Sequence, residues 1–376
     1  MSKNKEKKFI LMSEVLLLAA RGLGTTSPNP LVGAIVTDSE GVIVGRGWHD
    51  KFGGPHAEVV ALEEAGPKAV NGTLYINLEP CSHHGKTPPC APFIVEAGIK
   101  NVVVSIKDPN PQVNGKGIEI LESNGISVET GLMEKEASLL NEPFFTHTLK
   151  KRPLVTIKVA SSLDGIISRK KGGERWISGE KSRELSHQFR NTVDAILVGV
   201  QTILHDNPLL TARPKGEVRN SLKRIVLDTN LRTPLDSKIL EPDCDNSTII
   251  MTGEDVPVER VRKFKDLDVK IVSIPTNELG MLKIDKVLDC LAKLDVMHLL
   301  VEGGGLVHGS FVSEGLADHL MCFISPLIIG EENSVSSFRG MNFGGLTEST
   351  ELFDLKHEFV GKDILYRGRF NKPFWE

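Results

Sequence analysis

"GGPHAEVV" (Gly53–Val60) and "LEPCSHHGKTPPC" (Leu78–Cys90) decide how the first part of this chain is read. The first places His56 and Glu58 where an apolar helical run begins, with Pro55 positioned to begin the helix. The second follows the strand-like "TLYINL" and offers Cys81, His83, His84 and Cys90 as metal ligands. A tetrahedral site has room for all four. It can equally take the two thiolates and His56 from the other helix start, keeping its fourth position for water. Three protein ligands plus water is a catalytic arrangement, whereas four ligands close the site and make it structural.

Glu58 favours the catalytic arrangement. It leaves its turn in a different direction from His56, toward the metal's open face, where it can take a proton from water and pass it to a leaving amine. H-x-E, then P-C, then a further Cys is the order found in zinc deaminases, with the Glu as acid/base and not as ligand. Here the last Cys follows a longer insertion than in P-C-x-x-C. A lone H-x-E would carry little, and a four-ligand zinc knot stays the alternative.

Outward from these motifs, helices and strands alternate. A helix around 10–22 follows a short disordered lead, "MSKNKEKK". "LVGAIVTD" and "GVIVGRGW" form a hairpin, and "NVVVSI" and "ISVET" are strands between helical runs. "MEKEASLLNEPFFTHTL" closes the part as one helix. This predicts a sheet covered by helices on both faces. Near 148–153 the basic turn before Pro153 marks a boundary, giving domains 1–148 and 153–376. The second has strands at "LVTIKVA", "AILVGV", "KRIVLDT", "STIIMTG", "VKIVSI" and "HLLVEG", mostly parallel. Late strands in "HLMCFISPLIIG", "LFDLKHEFV" and "DILYRGRF" are expected to be antiparallel.

The bulk numbers are those of an ordinary globular protein: 376 residues, 40% hydrophobic, 25% charged, net charge -4. That balance argues against nucleic-acid binding by bulk electrostatics, and so against an editing deaminase. Five cysteines thinly spread suit a reducing compartment, and Cys244, Cys290 and Cys322 read as buried residues. No run is apolar for long enough to span a membrane, so the cytoplasm is expected.

"TSPNPLVGAIV", "GGPHAEV", "LEPCSHHGKTPPC" and "DPNPQVNGKG" resemble the deaminase half of the bifunctional riboflavin biosynthesis deaminase/reductases. "KVASSLDGII", "RWIS", "ILVGVQTILHDNPLLTAR" and "VEGGGLVHGS" resemble the reductase half, in the family's order. The resemblance implies an α/β chain: a cytidine-deaminase-like three-layer α/β/α domain, then a dihydrofolate-reductase-like α/β domain. It implies zinc-dependent deamination of a phosphoribosylamino-pyrimidine, then reduction of its ribosyl group to ribityl by NADPH; separately, a homo-oligomer is expected.

Carried over, the zinc ligands are His56, Cys81 and Cys90, with Glu58 as proton shuttle. Asn29, His49, His83, Lys86, Asp108 and Asn110 would face the first substrate, though Asp-Pro and Asn-Pro form turns in any case. The inserted Lys86 and histidines can neutralise its phosphate. In the second half Ala160, Trp176, Thr202, Asp206, Thr229, Gly304, Gly305, Leu306, Val307, His308, Gly309 and Ser310 would bind cofactor. The glycine run lets backbone approach a phosphate at a helix start, without being G-x-G-x-x-G. Arg190, Leu209, Arg213 and Glu302 would bind substrate; a solvated surface role is the rival for the two arginines. Lys158 and Asp164 lie beside the site in the family. Glu174 stands where the family has a small hydroxyl residue, and its carboxylate would repel a phosphate unless Arg175 or Lys171 compensates.

Overall fold

Helix α1 (Lys3–Ala20) leads into the hairpin β1 (Gly33–Thr37) and β2 (Ile43–Trp48). There follow α2 (Ala57–Ala65), β3 (Thr73–Leu78), α3 (Cys90–Glu96), β4 (Asn101–Ile106), α4 (Lys116–Ser123) and β5 (Ser127–Thr130). The computed structural model describes residues 3–82, 88–110, 113–168, 176–219, 221–241, 247–267, 269–331, 334–341 and 349–373. The chain divides between Lys151 and Arg152 into two units.

In the first unit the strand order is β2-β1-β3-β4-β5, with β1 antiparallel to its neighbours and β3, β4 and β5 parallel. The period-2 alternation of β strands sends neighbouring residues to opposite faces. Ala34, Val36, Leu74, Ile76, Val102 and Val104 pack under α2, α3 and α4. Ile35, Tyr75 and Val103 face α1 through Leu11, Met12, Val15 and Leu18. Gly47 lets α2 lie directly on β2: a Cβ there would sit 2.2 Å from the Ala57 carbonyl oxygen. That contact fixes where His56 and Glu58 begin their helix.

Two expectations for this unit change. The first helix starts at Lys3, not near residue 10. Lys7 donates to the Gly41 carbonyl at 2.8 Å and Lys8 pairs with Glu129, so the lead is tied to the sheet. The closing run is two helices, α5 (Glu134–Leu140) and α6 (Glu142–Lys150). Asn141 interrupts them because its buried amide pins the backbone of Leu31 instead, accepting from its N–H at 2.8 Å and donating to its carbonyl at 2.9 Å. Pro143 then starts the next helix.

The chain leaves α6 at Lys151 in the left-handed conformation, φ 56°. Arg152 opens the second unit with a bidentate pair to Asp318, at 2.6 and 2.8 Å, and Asp318 also accepts the N–H of Val155. The elements are β6 (Leu154–Ser162), β7 (Ile166–Ser168), α7 (Glu180–Arg190), β8 (Ala195–Gly199), α8 (Val200–Asp206), β9 (Lys223–Leu227) and β10 (Thr248–Thr252). Then come α9 (Val258–Lys265), β11 (Lys270–Ser273), α10 (Ile284–Ala292), β12 (His298–Val301), α11 (Gly305–Ser313), β13 (His319–Ser325), β14 (Val335–Ser336), β15 (Phe353–Val360) and β16 (Asp363–Arg369).

The large sheet runs β11-β10-β9-β8-β12-β6-β13-β16-β15, and β7 pairs with β14 apart from it. Val155, Ile157, Leu197, Ile225, Leu299 and Val301 pack on α10 and α11, through Val287, Leu288, Leu291 and Phe311. Ile196, Val198, Val226, Ile250 and Leu300 face Ile203 of α8 and Phe264 of α9. The late strands β13, β16 and β15 pair antiparallel to one another, as expected, while the other edge of β13 pairs parallel with β6. The helical crossover through α11 returns the chain in the same direction. β16 runs against both β13 and β15.

Candidate active sites

His56 is the N-cap of α2, Glu58 lies in that helix's first turn, and Cys90 is the first residue of α3. Cys81 lies three residues past β3, and its sulfur accepts the backbone N–H of Cys90 at 3.3 Å. His56, Cys81 and Cys90 offer ligand atoms all within 4.8 Å of one another. His56 Nδ1 is 3.2 Å from the sulfur of Cys90 and 3.6 Å from that of Cys81. Around a tetrahedral zinc such N–S separations are about 3.5 Å.

The two thiols share one proton. Cys90 donates to Cys81, which raises the Cys90 thiol and holds Cys81 down at about 4, helped by His56. A site that already keeps one thiolate, with a second thiol and an imidazole beside it, has the soft donor set that zinc takes. Glu58 is 3% exposed. Burial pushes its carboxyl up to about 7, and the Cys81 thiolate adds to the rise.

Glu58, His56 and Cys81 line a cavity of about 250 Å³ with Asn29, His49, Asp108 and Asn110. His49 Nδ1 lies 3.0 Å from the Pro55 carbonyl and donates to it, so Nε2 accepts from the Asn29 amide, also at 3.0 Å. Burial lowers the basicity of this imidazole. Asp108 accepts the N–H of Asn110 at 2.8 Å, which is turn chemistry, yet both residues line the cavity. His83, His84 and Lys86 lie outside the described residues.

Glu79 belongs to this site and sequence reasoning passed over it. Its buried carboxylate accepts the N–H groups of Asp108, Gly115, Gly117 and Ile118, at 3.0 to 3.4 Å. It thereby caps α4 and fixes the segment that carries Asp108. The only signal was the motif "EPC", whose Glu has no partner near it in sequence. Phe52 and Phe144 also line the cavity and carried no signal.

The second unit holds a cavity of about 990 Å³ across the C-terminal ends of β6, β12, β8 and β9. Ala160, Trp176, Thr202, Asp206, Thr229, Gly304, Gly305, Leu306, Val307, His308 and Ser310 line it, as do Arg190, Leu209, Arg213 and Glu302. Gly309 is not among the lining residues, because a Cβ there would meet the Arg339 carbonyl oxygen at 1.8 Å. It serves close packing. Glu174, Arg175, Lys171 and Cys244 lie outside the described residues. Cys290 and Cys322 are half-buried rather than buried, each packed at the margin of the core.

Arg190 is bidentate on Glu302, at 2.7 and 2.9 Å, and also donates to the Thr211 carbonyl. Lys158 approaches the same carboxylate at 3.5 Å. Burial alone would raise Glu302, but Arg190 and Lys158 outweigh it and hold the carboxyl well below the usual carboxylate range. A phosphate role for Arg190 therefore adds to an engaged guanidinium, whereas Arg213 is more open, on Thr211 and His187. Asp164 accepts from Ser162 and from the N–H groups of Ile329 and Gly330, which makes it a loop anchor.

The cavity fits a dinucleotide. Gly304 caps α11, and a Cβ there would meet nothing within 4 Å, so the backbone faces open space. His308 donates through Nδ1 to the Ser337 carbonyl, which leaves a buried Nε2 without a partner among the described residues. His187, three residues before Arg190 on α7, was missed; its buried Nδ1 also lacks a partner. Its helical spacing from Arg190 was the available signal.

Comparison with known proteins agrees with both halves. The family described as "RibD C-terminal domain" matches residues 153–366. The family described as "Cytidine and deoxycytidylate deaminase zinc-binding region" matches residues 5–106. The riboflavin biosynthesis protein RibD of Aquifex aeolicus (strain VF5) is 41% identical over 354 residues, 94% of this chain and 96% of that protein. The RibD protein of Bacillus amyloliquefaciens is 40% identical, covering 94% of each. Among solved structures, Acinetobacter baumannii RibD, form 2, superposes with a TM-score of 0.87 at 32% identity, over 98% of this chain and 99% of that one. A diaminohydroxyphosphoribosylaminopyrimidine deaminase/5-amino-6-(5-phosphoribosylamino)uracil reductase from Thermotoga maritima gives 0.84 at 36% identity, over 97% and 99%. The chain belongs to the RibD family of riboflavin biosynthesis proteins, and joins a zinc-binding deaminase domain to a reductase domain in one bifunctional enzyme.

Proposed function

We propose that the first unit hydrolyses an amino group from 2,5-diamino-6-(5-phosphoribosylamino)pyrimidin-4-one and that the second reduces the ribosyl group of the product with NADPH. The observation that carries this reading is the convergence of His56, Cys81 and Cys90, with Glu58 buried beside them at the wall of a cavity. Zinc held by those three residues would supply Lewis-acid activation of water. Glu58, with its carboxyl near neutrality, takes a proton from the attacking water and returns it to the departing amine. Water adds at the ring carbon, the C–N bond breaks, and ammonia leaves.

His49 is held in one tautomer by Pro55 and orients Asn29, which is thereby positioned for the pyrimidine edge. In the second unit NADPH would supply the hydride. The open helix start at Gly304 suits its diphosphate, and the ionised Glu302, held by Arg190 and Lys158, suits sugar hydroxyls. The net charge of -4 offers nucleic acid no bulk attraction. Leu355 and Phe359 stand exposed on the edge strand β15, which supports self-association. No described helix is long and apolar enough to cross a membrane.

The test follows ammonia and NADPH together. Zinc-loaded protein given the diamino substrate should release ammonia and then oxidise NADPH. Chelation of zinc should stop ammonia release but leave NADPH oxidation on the already deaminated compound. Zinc-loaded protein that releases no ammonia would overturn the assignment.

A further inference from the structure

The nicotinamide dinucleotides come in two forms that differ by a phosphate on the 2′-oxygen of the adenosine ribose. We infer that Lys238 is the residue that reads this phosphate, an inference that rests on the reductase reading of the second unit. The cavity floor crosses four adjacent strands in the order β6, β12, β8, β9. Three strand spacings make it roughly 14 Å across, room for a dinucleotide laid over the strand ends.

Each part of the cofactor has a place along that floor. Lys158, Glu302 and Arg190 cluster at the β6 and β12 end, where the reacting sugar must meet the nicotinamide. The start of α11, directly after β12, presents backbone N–H groups for the diphosphate. The adenosine is left the β8 and β9 end, where Asp206, Thr229 and Lys238 line the cavity. Asp206, whose carboxylate would repel a phosphate, pairs with His205 at 2.7 Å.

The basic side chains of the cavity divide accordingly. Lys158 and Arg190 neutralise Glu302. Arg213 bonds Thr211 and His187, and Arg183 donates to the Ser178 carbonyl beside Trp176. The Arg339 side chain lies against Gly305, at the diphosphate position. Lys238 Nζ makes no hydrogen bond or ion pair among the described residues. Its backbone is fixed nonetheless: its N–H donates to Asn207 Oδ1 at 2.8 Å, and the next residue, Ile239, is fully buried. A cation without an internal partner among the described residues, on a fixed base at the adenosine end, suits a dianion better than a neutral hydroxyl.

The test is binding of NADP+ and NAD+ to the full-length protein by calorimetry. Lys238→Ala should weaken NADP+ by roughly 10- to 100-fold, the loss expected for one charge-assisted contact, and NAD+ by less than about threefold. Lys238→Arg should retain NADP+ to within about tenfold. Equal weakening of both dinucleotides, or unchanged NADP+ binding, would overturn the inference. Wild-type protein that binds neither dinucleotide would remove the reductase reading, and this inference with it.

Discussion

At the residue scale, the residues that converge on His56 were legible because their chemistry is written in short covalent spacings. His56 and Glu58 share one helix turn, and Cys81 and Cys90 flank one insertion. Glu79 was not, because what defines it comes from far along the chain. Glu79 receives N–H groups from 29 to 39 residues downstream, and no local pattern encodes such a cap. The division of "CSHHGKTPPC" between metal and substrate gives a direct prediction. Replacing His83 and His84 by Ala should leave bound zinc unchanged and raise KM for deamination, whereas loss of zinc would mean a four-ligand knot. His308 gives a second. Burial holds its imidazole down at about 4, against an ordinary value near 6.5. Its neutral form therefore contributes fully above about 6.5, and that stability is lost as pH falls toward 4. Between pH 7 and pH 5 the wild type should lose about 1–2 kcal/mol more than His308→Gln, measured by denaturant unfolding followed on the second unit.

At the element scale, most strands were legible because alternation and β-branched runs report burial directly. Breaks and directions were less so. Asn141 ends α5 to satisfy the backbone of Leu31, 110 residues away, and nothing in "SLLNEPFF" announces that partner. The parallel course of β13 depends on the crossover through α11, not on the strand's own residues. The cap that Glu79 places on α4 is testable at this scale. Glu79→Gln keeps one carbonyl acceptor and turns an NH₂ group toward N–H donors. It should destabilise the first unit by about 2–4 kcal/mol and raise the deaminase KM while zinc is retained. Unchanged thermal unfolding would show that the helix start is satisfied without the carboxylate.

For the whole molecule, the two units carry two chemistries that must act in sequence. The first leaves a deaminated pyrimidine whose sugar and phosphate are untouched, and the second acts on that sugar. Their separation near residue 151 follows from local physics, a helix ended in the left-handed conformation and an arginine committed to Asp318. Each half's motifs could be read within its own unit, whereas NADPH over NADH rested on the family resemblance alone, since no single basic residue in the sequence is marked as a reader of the 2′-phosphate. The central claim is that deamination depends on Glu58 and precedes a reduction that does not. The most direct measurement gives Glu58→Gln protein, loaded with zinc, first the diamino substrate and then the deaminated compound, each with NADPH. With the first, ammonia release should fall by at least about 100-fold and NADPH should stay unoxidised. With the second, NADPH should be oxidised at the wild-type rate. Ammonia release at the wild-type rate, or NADPH oxidation on the diamino substrate, would contradict the account.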